Sequence, residues 1–578
     1  MNNVPTFNTS RLSLIILISL LILLIGAILI LASVPPISRD ALTHHLFIPK
    51  LYIQHGSIYE IPEIGHSYYP MLLDLFYTVP LALGNDIIPK YIHFFFALFT
   101  AWLIFDYLKT RLNQYWGLIG ALFFLSLPII IKLSITVYVD LGLVAFSTAS
   151  LLMLFKWVDN KKIKYLIYAG VFCGLAASTK YNGLITIFLL TLFTPIIYSR
   201  STVGTRKHSS LRAIGYGAVF IFCAILTFSP WMIRNYTWTG NPVYPLYNSI
   251  FQNFQPTAVN LTPTVPEQTI DKTKKIAKQL TSRGSNVLAN RKVLYHETWW
   301  QAILLPVRFF FEGRDDNPRY FDGKLNPFLF CLSFCAFFLY RFPRNVKVEI
   351  YLLFSFAWLY FLFAFFQGSL RIRYIVPSIP ALVILATYGM HNLSQRIRTY
   401  QTNKRYFHAI IMGCILIPLF LYNAFYIAGQ FLTIQPLTYH TGKVTRDEFI
   451  SKFRSEYPIQ QYANKHLKNG DKILAINVGN RGYYFDFPVI FDQKGNRSLL
   501  GDIIDTSGSH DEVYQKLLNQ GFSHLFIRFD LFRKIASENW SSGKINIFNK
   551  FITQNTKQLA ANSEYGLFQL VSNSSKFK

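Results

Sequence analysis

Two carboxylates stand where chemistry at a membrane surface would need them. Asp40 follows a long apolar run and the hexapeptide Val34-Pro-Pro-Ile-Ser-Arg, at the predicted outer membrane–water boundary. A carboxylate there stays ionised beside a lipid headgroup, where a general base for a lipid-borne substrate must act. Its plainer role is to cap the helix that follows, since Ser38 to Asp40 precede an Ala-Leu run. Asp140, in Ser134-Ile-Thr-Val-Tyr-Val-Asp-Leu-Gly, falls about one turn into a predicted apolar helix, at its outer end. An ionisable group inside a span is costly and marks a functional site by default. The alternative is a partly solvated helix-start carboxylate favoured by the macrodipole.

Cations recur near the same boundary. Lys180 sits in Ala177-Ser-Thr-Lys-Tyr-Asn-Gly, Arg234 follows Trp231-Met-Ile, and Arg371 and Arg373 lie in Gln367-Gly-Ser-Leu-Arg-Ile-Arg-Tyr. Arg and Lys are the usual partners of phosphoryl oxygens, so this set suits a lipid phosphate. Taken singly, each also reads as a snorkelling anchor. In the first outer loop His44, His45, Lys50 and Tyr69 are candidate substrate contacts. His44, His45 and His66 with Glu60 and Glu63 suggest a metal site, yet no HxxxH or HxxE spacing supports one. A divalent metal is therefore left open. No glycine-rich phosphate loop, GxGxxG or zincin signature occurs, and the cytoplasmic loops are short. Any donor is expected to be reached from the membrane and the outer face.

The elements that must position these residues are membrane helices. The chain of 578 residues is 52% hydrophobic and only 15% charged, with a mean hydropathy of +0.29. An ordinary soluble domain carries about 25% charged residues, so the soluble class is excluded. Apolar runs at 12–33, 89–108, 115–131, 135–156, 163–178, 181–198, 212–231, 326–340, 348–366, 374–390 and 406–432 predict about eleven spans of a mainly α, polytopic bundle. The net charge of +27 sits largely in short loops, among them Lys109 and Arg111, Lys161 to Lys164, Arg206 and Lys207, Arg341 to Lys347, and Arg396 to Arg405. There it works as a topology signal, and nucleic acid is a poor partner. The positive-inside rule puts the N-terminus in the cytoplasm and residues 433–578 outside an inner (plasma) membrane. Met71–Leu83 is too short to span and contains Asp74 and Pro80, so it reads as a helix at the outer surface.

Two domains are expected: a membrane module over 1–432, with outer loops 34–88 and 232–325, and a small extracytoplasmic α/β domain over 433–578. In the tail, Lys472–Val478, Tyr483–Phe491, Phe522–Phe529 and Tyr565–Val571 predict strands, and Pro458–Leu467 and Asp511–Leu518 predict helices. Asn469-Gly470-Asp471 predicts a turn. All five cysteines lie in apolar segments, so no disulfide framework is implied.

This layout resembles the GT-C superfamily of polytopic glycosyltransferases, which includes protein O-mannosyltransferases and the aminoarabinose transferases that modify lipid A. Asp40-Ala-Leu-Thr-His-His-Leu-Phe-Ile-Pro-Lys-Leu-Tyr-Ile-Gln-His-Gly is similar to the first-loop signature of the glycosyltransferase 39-like group. Gly174-Leu-Ala-Ala-Ser-Thr-Lys-Tyr-Asn-Gly, Arg234-Asn-Tyr-Thr-Trp-Thr-Gly-Asn-Pro-Val-Tyr-Pro and Arg373-Tyr-Ile-Val-Pro-Ser-Ile-Pro-Ala-Leu resemble that group too, in order over residues 10–430. The resemblance implies that Asp40 is the catalytic base and that Asp140 is a second acidic residue at the outer start of a later helix. Many relatives carry a paired acidic motif in the first loop, whereas here Arg39 precedes Asp40 and Ala41 follows. One carboxylate is a poor divalent-cation site, which keeps the metal open.

The expected function is sugar transfer from a polyprenyl-phosphate donor to an outward-facing lipid, glycan or protein acceptor. Two alternatives stand beside it: a flippase or transporter for lipid-linked sugars, and an oligosaccharide polymerase or ligase using diphosphate-linked donors. A transporter needs access from both faces, and the unusual ionisable groups cluster at the outer face alone. The sugar, the acceptor and the oligomeric state are not encoded legibly.

Overall fold

The computed structural model describes residues 11–201, 210–252, 287–338, 342–365, 370–400, 405–468, 470–494 and 497–572. Arg206, Lys207, Arg341 and Lys404 of the basic loops, Gln367 to Ser369, Asn469 of the predicted turn and residues 253–286 of the second outer loop lie outside them.

Among the described residues, each apolar run read as a span is mainly helical, one of them as a bent pair. Seven helices among these residues are long and apolar enough to cross a membrane: Arg11–Ala32, Ile88–Arg111, Asp140–Asn160, Leu211–Thr239, Asn345–Phe365, Ile372–Ile397 and Ala409–Ile434. The run at 115–131 is a bent pair, Gln114–Ser126 and Pro128–Ser134, whose halves meet at 65°. Pro128 supplies no N–H and pushes Leu127 out of the helical region, to φ −58° and ψ 134°. Ile163–Thr179, Gly183–Ser201 and Pro327–Phe338 are shorter apolar helices. Small residues let backbones meet: a Cβ on Gly174 would lie 2.4 Å from the Ala224 carbonyl oxygen. At the far end of Asp140–Asn160, Glu349 accepts from Tyr107 Oη at 2.7 Å and Arg111 Nε at 2.9 Å. Cys331 and Cys335 are both free thiols.

Two boundaries depart from the periodicity reading, and both matter. The run at 135–156 starts its helix only at Asp140, so Ile135 to Val139 form a link. The junction at Thr179 opens into an extended Lys180 before the next helix begins at Gly183. Both departures set Asp140 and Lys180 at helix ends.

Chain contacts group the protein into two units. The first comprises residues 1–33, 68–73 and 90–435, and the second 34–67, 74–89 and 436–578. The second is built on a five-stranded sheet in the order Val489–Phe491, Ile473–Ile476, His524–Arg528, Tyr565–Leu570, Thr556–Ala561. The first three strands are parallel and the last two antiparallel to their neighbours. Ile473–Ile476 is buried at every position, as a central parallel strand covered on both faces must be. Leu474, Ile476, Ile503, Ile504, Leu525 and Phe551 belong to its core. The strand predicted over Tyr483–Phe491 shrinks to Val489–Phe491, because Tyr483 to Phe485 are engaged by the first loop.

That engagement is specific. Lys50 Nζ donates to Tyr483 O at 2.9 Å, Phe485 O at 2.7 Å and Asp486 Oδ1 at 3.0 Å, so all three ammonium hydrogens are committed. Tyr484 Oη donates to Pro36 O at 2.7 Å, and Arg446 pairs with Asp86. Lys50→Met is expected to speed amide exchange across residues 477–486 and to destabilise this unit by roughly 1–3 kcal/mol. Hydrogen-exchange mass spectrometry on the whole protein checks it; wild-type exchange rates there would show that Lys50 is no tether.

Candidate active site

Asp140 is the first residue of its helix and is buried, with Lys180 Nζ 2.6 Å from its Oδ1. Its Oδ2 is also buried and has no hydrogen-bond partner among the described residues. His93 holds the approach to this carboxylate. Its Nδ1 lies 3.0 Å from Leu133 O and 3.1 Å from Thr136 O, while its Nε2 accepts from Leu141 N at 2.9 Å. One imidazole thus bonds carbonyls just past the end of one helix, that of Leu133 also accepting from Thr136 N, and an orphan N–H at the start of the next. That arrangement calls for the neutral ring with its proton on Nδ1.

Cations and aromatics complete this part of the first unit. Lys180 Nζ lies 5.3 Å from the centre of the Tyr374 ring. The Arg373 guanidinium lies 5.2 Å and 5.4 Å from the Tyr138 and Tyr374 rings and acts electrostatically on Asp140. Arg234 is placed differently. Its guanidinium stacks at 4.7 Å and 4.8 Å from Trp231 and Trp238, and its Nη2 donates to Tyr69 O at 2.9 Å and to Asn235 Oδ1 at 2.9 Å. Asn235 in turn donates to Tyr181 Oη at 2.9 Å, and the Tyr69 and Tyr181 rings meet edge to face at 5.5 Å. Burial, with Tyr374 nearby, holds the Tyr69 hydroxyl above its ordinary range, so it stays a donor at neutral pH. Arg371 faces Asp322 at 3.5 Å, and Asp322 shares Lys132 with Asp315 and Asp316.

In the second unit Asp40 is half-buried at the head of a single π-helical turn, Ala41–His45, and makes no capping hydrogen bond with its side chain. Such turns often occur at functional sites. The His44 ring stacks on His66 at 4.4 Å and tilts against His45 at 4.0 Å. His45 Nδ1 meets Asp74 Oδ1 at 2.7 Å, both buried, which ties the π turn to the helix Leu72–Ala82. Lys50 is the tether already described.

Of the candidate residues, then, Asp140 and Lys180 are in direct contact, with Arg373 beside them, whereas Arg234 and Arg371 belong to other polar clusters. Sequence reasoning missed His93, Tyr138, Tyr374 and Asp74. A lone histidine in the apolar helix Ile88–Arg111 was the available signal for His93. Among the described residues no group of three or more His, Cys, Asp or Glu is arranged to hold a metal ion, and Asp140 already has an ammonium partner.

The helical membrane bundle thus carries a buried carboxylate held by an ammonium at the head of one span, and a sheet-bearing α/β unit follows it in the chain. Residues 70–233 match the family described as dolichyl-phosphate-mannose-protein mannosyltransferase, a stretch that contains Asp140 and Lys180. That stretch is less than a third of the chain. Its fold is similar to that of ArnT from Cupriavidus metallidurans bound to undecaprenyl phosphate, with a TM-score of 0.55 at 13% identity, over 95% of this chain and 97% of that one. The apo form of the same ArnT matches with a TM-score of 0.54 at 13% identity, over 96% and 97% of the two chains. The oligosaccharyltransferase AglB from Archaeoglobus fulgidus, in complex with an inhibitory peptide and a dolichol-phosphate, matches with a TM-score of 0.46 at 11% identity, over 96% and 74%. At these identities the likeness is one of fold. Comparison with curated proteins finds no match.

Proposed function

We propose that the protein transfers a sugar from a polyprenyl-phosphate donor to an acceptor on the extracytoplasmic face. The observation that carries this reading is the buried Asp140 paired with a half-buried Lys180, with Arg373 beside them, inside a fold similar to that of an ArnT bound to undecaprenyl phosphate. Asp40 takes the proton of an acceptor hydroxyl as its oxygen bonds to the anomeric carbon. The bond from that carbon to the phosphate oxygen breaks, and the polyprenyl phosphate leaves. Lys180 and Arg373 stabilise the charge that grows on the departing phosphate. Asp140 fixes the Lys180 ammonium and, through its second oxygen, accepts from a substrate hydroxyl. Residues 1–432 form the transferase module, residues 433–578 the extracytoplasmic domain, and the N-terminus is cytoplasmic.

The test is transfer by purified protein in detergent, with a panel of radiolabelled polyprenyl-phosphate sugars as donors and a membrane extract as acceptor. Label reaching an acceptor from one donor is the expected outcome and names the sugar. If no monophosphate donor works while a diphosphate-linked one does, the donor class is wrong and the protein is a polymerase or ligase.

A further inference from the structure

The first loop and the tail sheet, both parts of the second unit, meet at a place this reaction has not used. Strand Ile473–Ile476 runs into Asn477-Val478-Gly479-Asn480-Arg481, where Asn477, Gly479 and Asn480 take left-handed φ values of 58°, 72° and 59°. This is the carboxyl edge of the parallel strands. From Ile473–Ile476 the chain passes to Val489–Phe491 on one side and then to His524–Arg528 on the other. Such a reversal is a topological switch point, the edge at which open parallel sheets bind ligands.

Two guanidinium groups converge there. A Cβ on Gly479 would lie 3.5 Å from Arg481 Nη1 and 3.8 Å from Arg39 Nη2. Arg481 is held rigidly, its Nε donating to Glu456 and its Nη2 to Tyr565 Oη at 2.9 Å, which leaves Nη1 turned to Gly479. Arg39 is exposed and has no hydrogen-bond or ion-pair partner among the described residues. Of the two cations, only Arg481 has a carboxylate partner, Glu456. By contrast, Arg528 on the neighbouring strand is neutralised by Asp530 at 2.7 Å and 2.8 Å. The loop is kept in register with the Asp40 segment by Tyr483 N donating to Leu42 O at 3.2 Å.

We propose that Arg39 and Arg481, which flank Gly479, form a subsite for an anionic group, a phosphate or a carboxylate, on the acceptor. The proposal rests on Asp40 being the base, because Arg39 directly precedes it and would hold the anion while a hydroxyl of the same acceptor meets Asp40. Glycine suits position 479 twice over: its backbone is left-handed, and a side chain would occupy the space between the guanidiniums. An anion there would relieve the repulsion between them and receive charge-assisted hydrogen bonds from both.

The test uses the whole protein and equilibrium binding of radiolabelled orthophosphate at fixed ionic strength, in an Asp140→Asn/Lys180→Gln background that removes the donor-side ammonium. Arg39→Gln is expected to weaken phosphate binding about tenfold. Gly479→Asp, which tolerates a left-handed backbone but adds a carboxylate, is expected to do at least as much. A parallel arm uses labelled phosphatidate in neutral-lipid nanodiscs. Loss of binding in either arm supports the subsite: the lipid-only pattern assigns it to a lipid-borne acceptor, and the orthophosphate-only pattern to a free anion. Wild-type affinity in both Arg39→Gln and Gly479→Asp, in both arms, overturns it. Failure of the base reading is seen separately, as normal transfer by Asp40→Asn while Arg39→Gln still loses phosphate.

Discussion

Asp40→Asn is expected to insert and fold as the wild type does and to lose sugar transfer by about a hundredfold to ten-thousandfold, the range a positioned general base contributes. The exchange keeps the size of the side chain and removes its basicity. Folding is expected to survive because the Asp40 side chain supplies no cap to the π turn that follows. The turn is held instead by Leu46 N donating to Ala41 O at 2.9 Å and by the His45–Asp74 contact at 2.7 Å. Donor binding should be unchanged, since the candidate phosphate cations, Lys180 and Arg373, are left as they are. The measurement is a transfer rate at saturating donor, set beside thermal unfolding of both proteins. Transfer near the wild-type rate would remove Asp40 from the mechanism, while a collapse in unfolding temperature would make the lost activity a folding effect.

The helices were legible because lipid-facing and buried apolar runs look alike in sequence, and each run read as a span is mainly helical among the described residues. What periodicity could not show was where those helices begin and end inside apolar sequence. Ile135 to Val139 are as apolar as the helix that follows. His93, some forty residues earlier in the chain, bonds both helix ends around them, a partner that periodicity does not reveal. The central tail strands were visible as short apolar runs, but Thr556–Ala561 was not. It is an edge strand without β-branched residues beyond Thr556, and pairing with Tyr565–Leu570 decides its conformation. Helices Phe529–Asn539 and Ser542–Asn555 were also missed, although their apolar residues recur at helical intervals among polar ones. Asp40 and Asp140 stood out as carboxylates beside apolar runs. The partners of Lys50 did not, because Tyr483 and Phe485 lie more than four hundred residues away and offer only backbone oxygens.

The Asp140–Lys180 pair separates a structural from a chemical role through a double-mutant cycle. Lys180→Gln leaves a carboxylate buried without its ammonium, which costs roughly 3–5 kcal/mol of stability. Asp140→Asn is expected to cost less, because the Lys180 side chain is 20% exposed and reaches water whereas that of Asp140 is 1% exposed. In Asp140→Asn/Lys180→Gln two neutral amides replace the ions, so most of the lost stability should return. Transfer should not return. Charge on the leaving phosphate needs a cation, and a neutral amide supplies a weaker hydrogen bond and no net charge. Unfolding temperatures in detergent give one side of the cycle and single-turnover transfer rates the other. A double variant that recovers both stability and transfer would make the pair a packing device and leave Arg373 as the remaining candidate for the phosphate. Stability recovered with transfer still lost would place the pair in the reaction itself, because no fold defect would then remain to explain the missing rate.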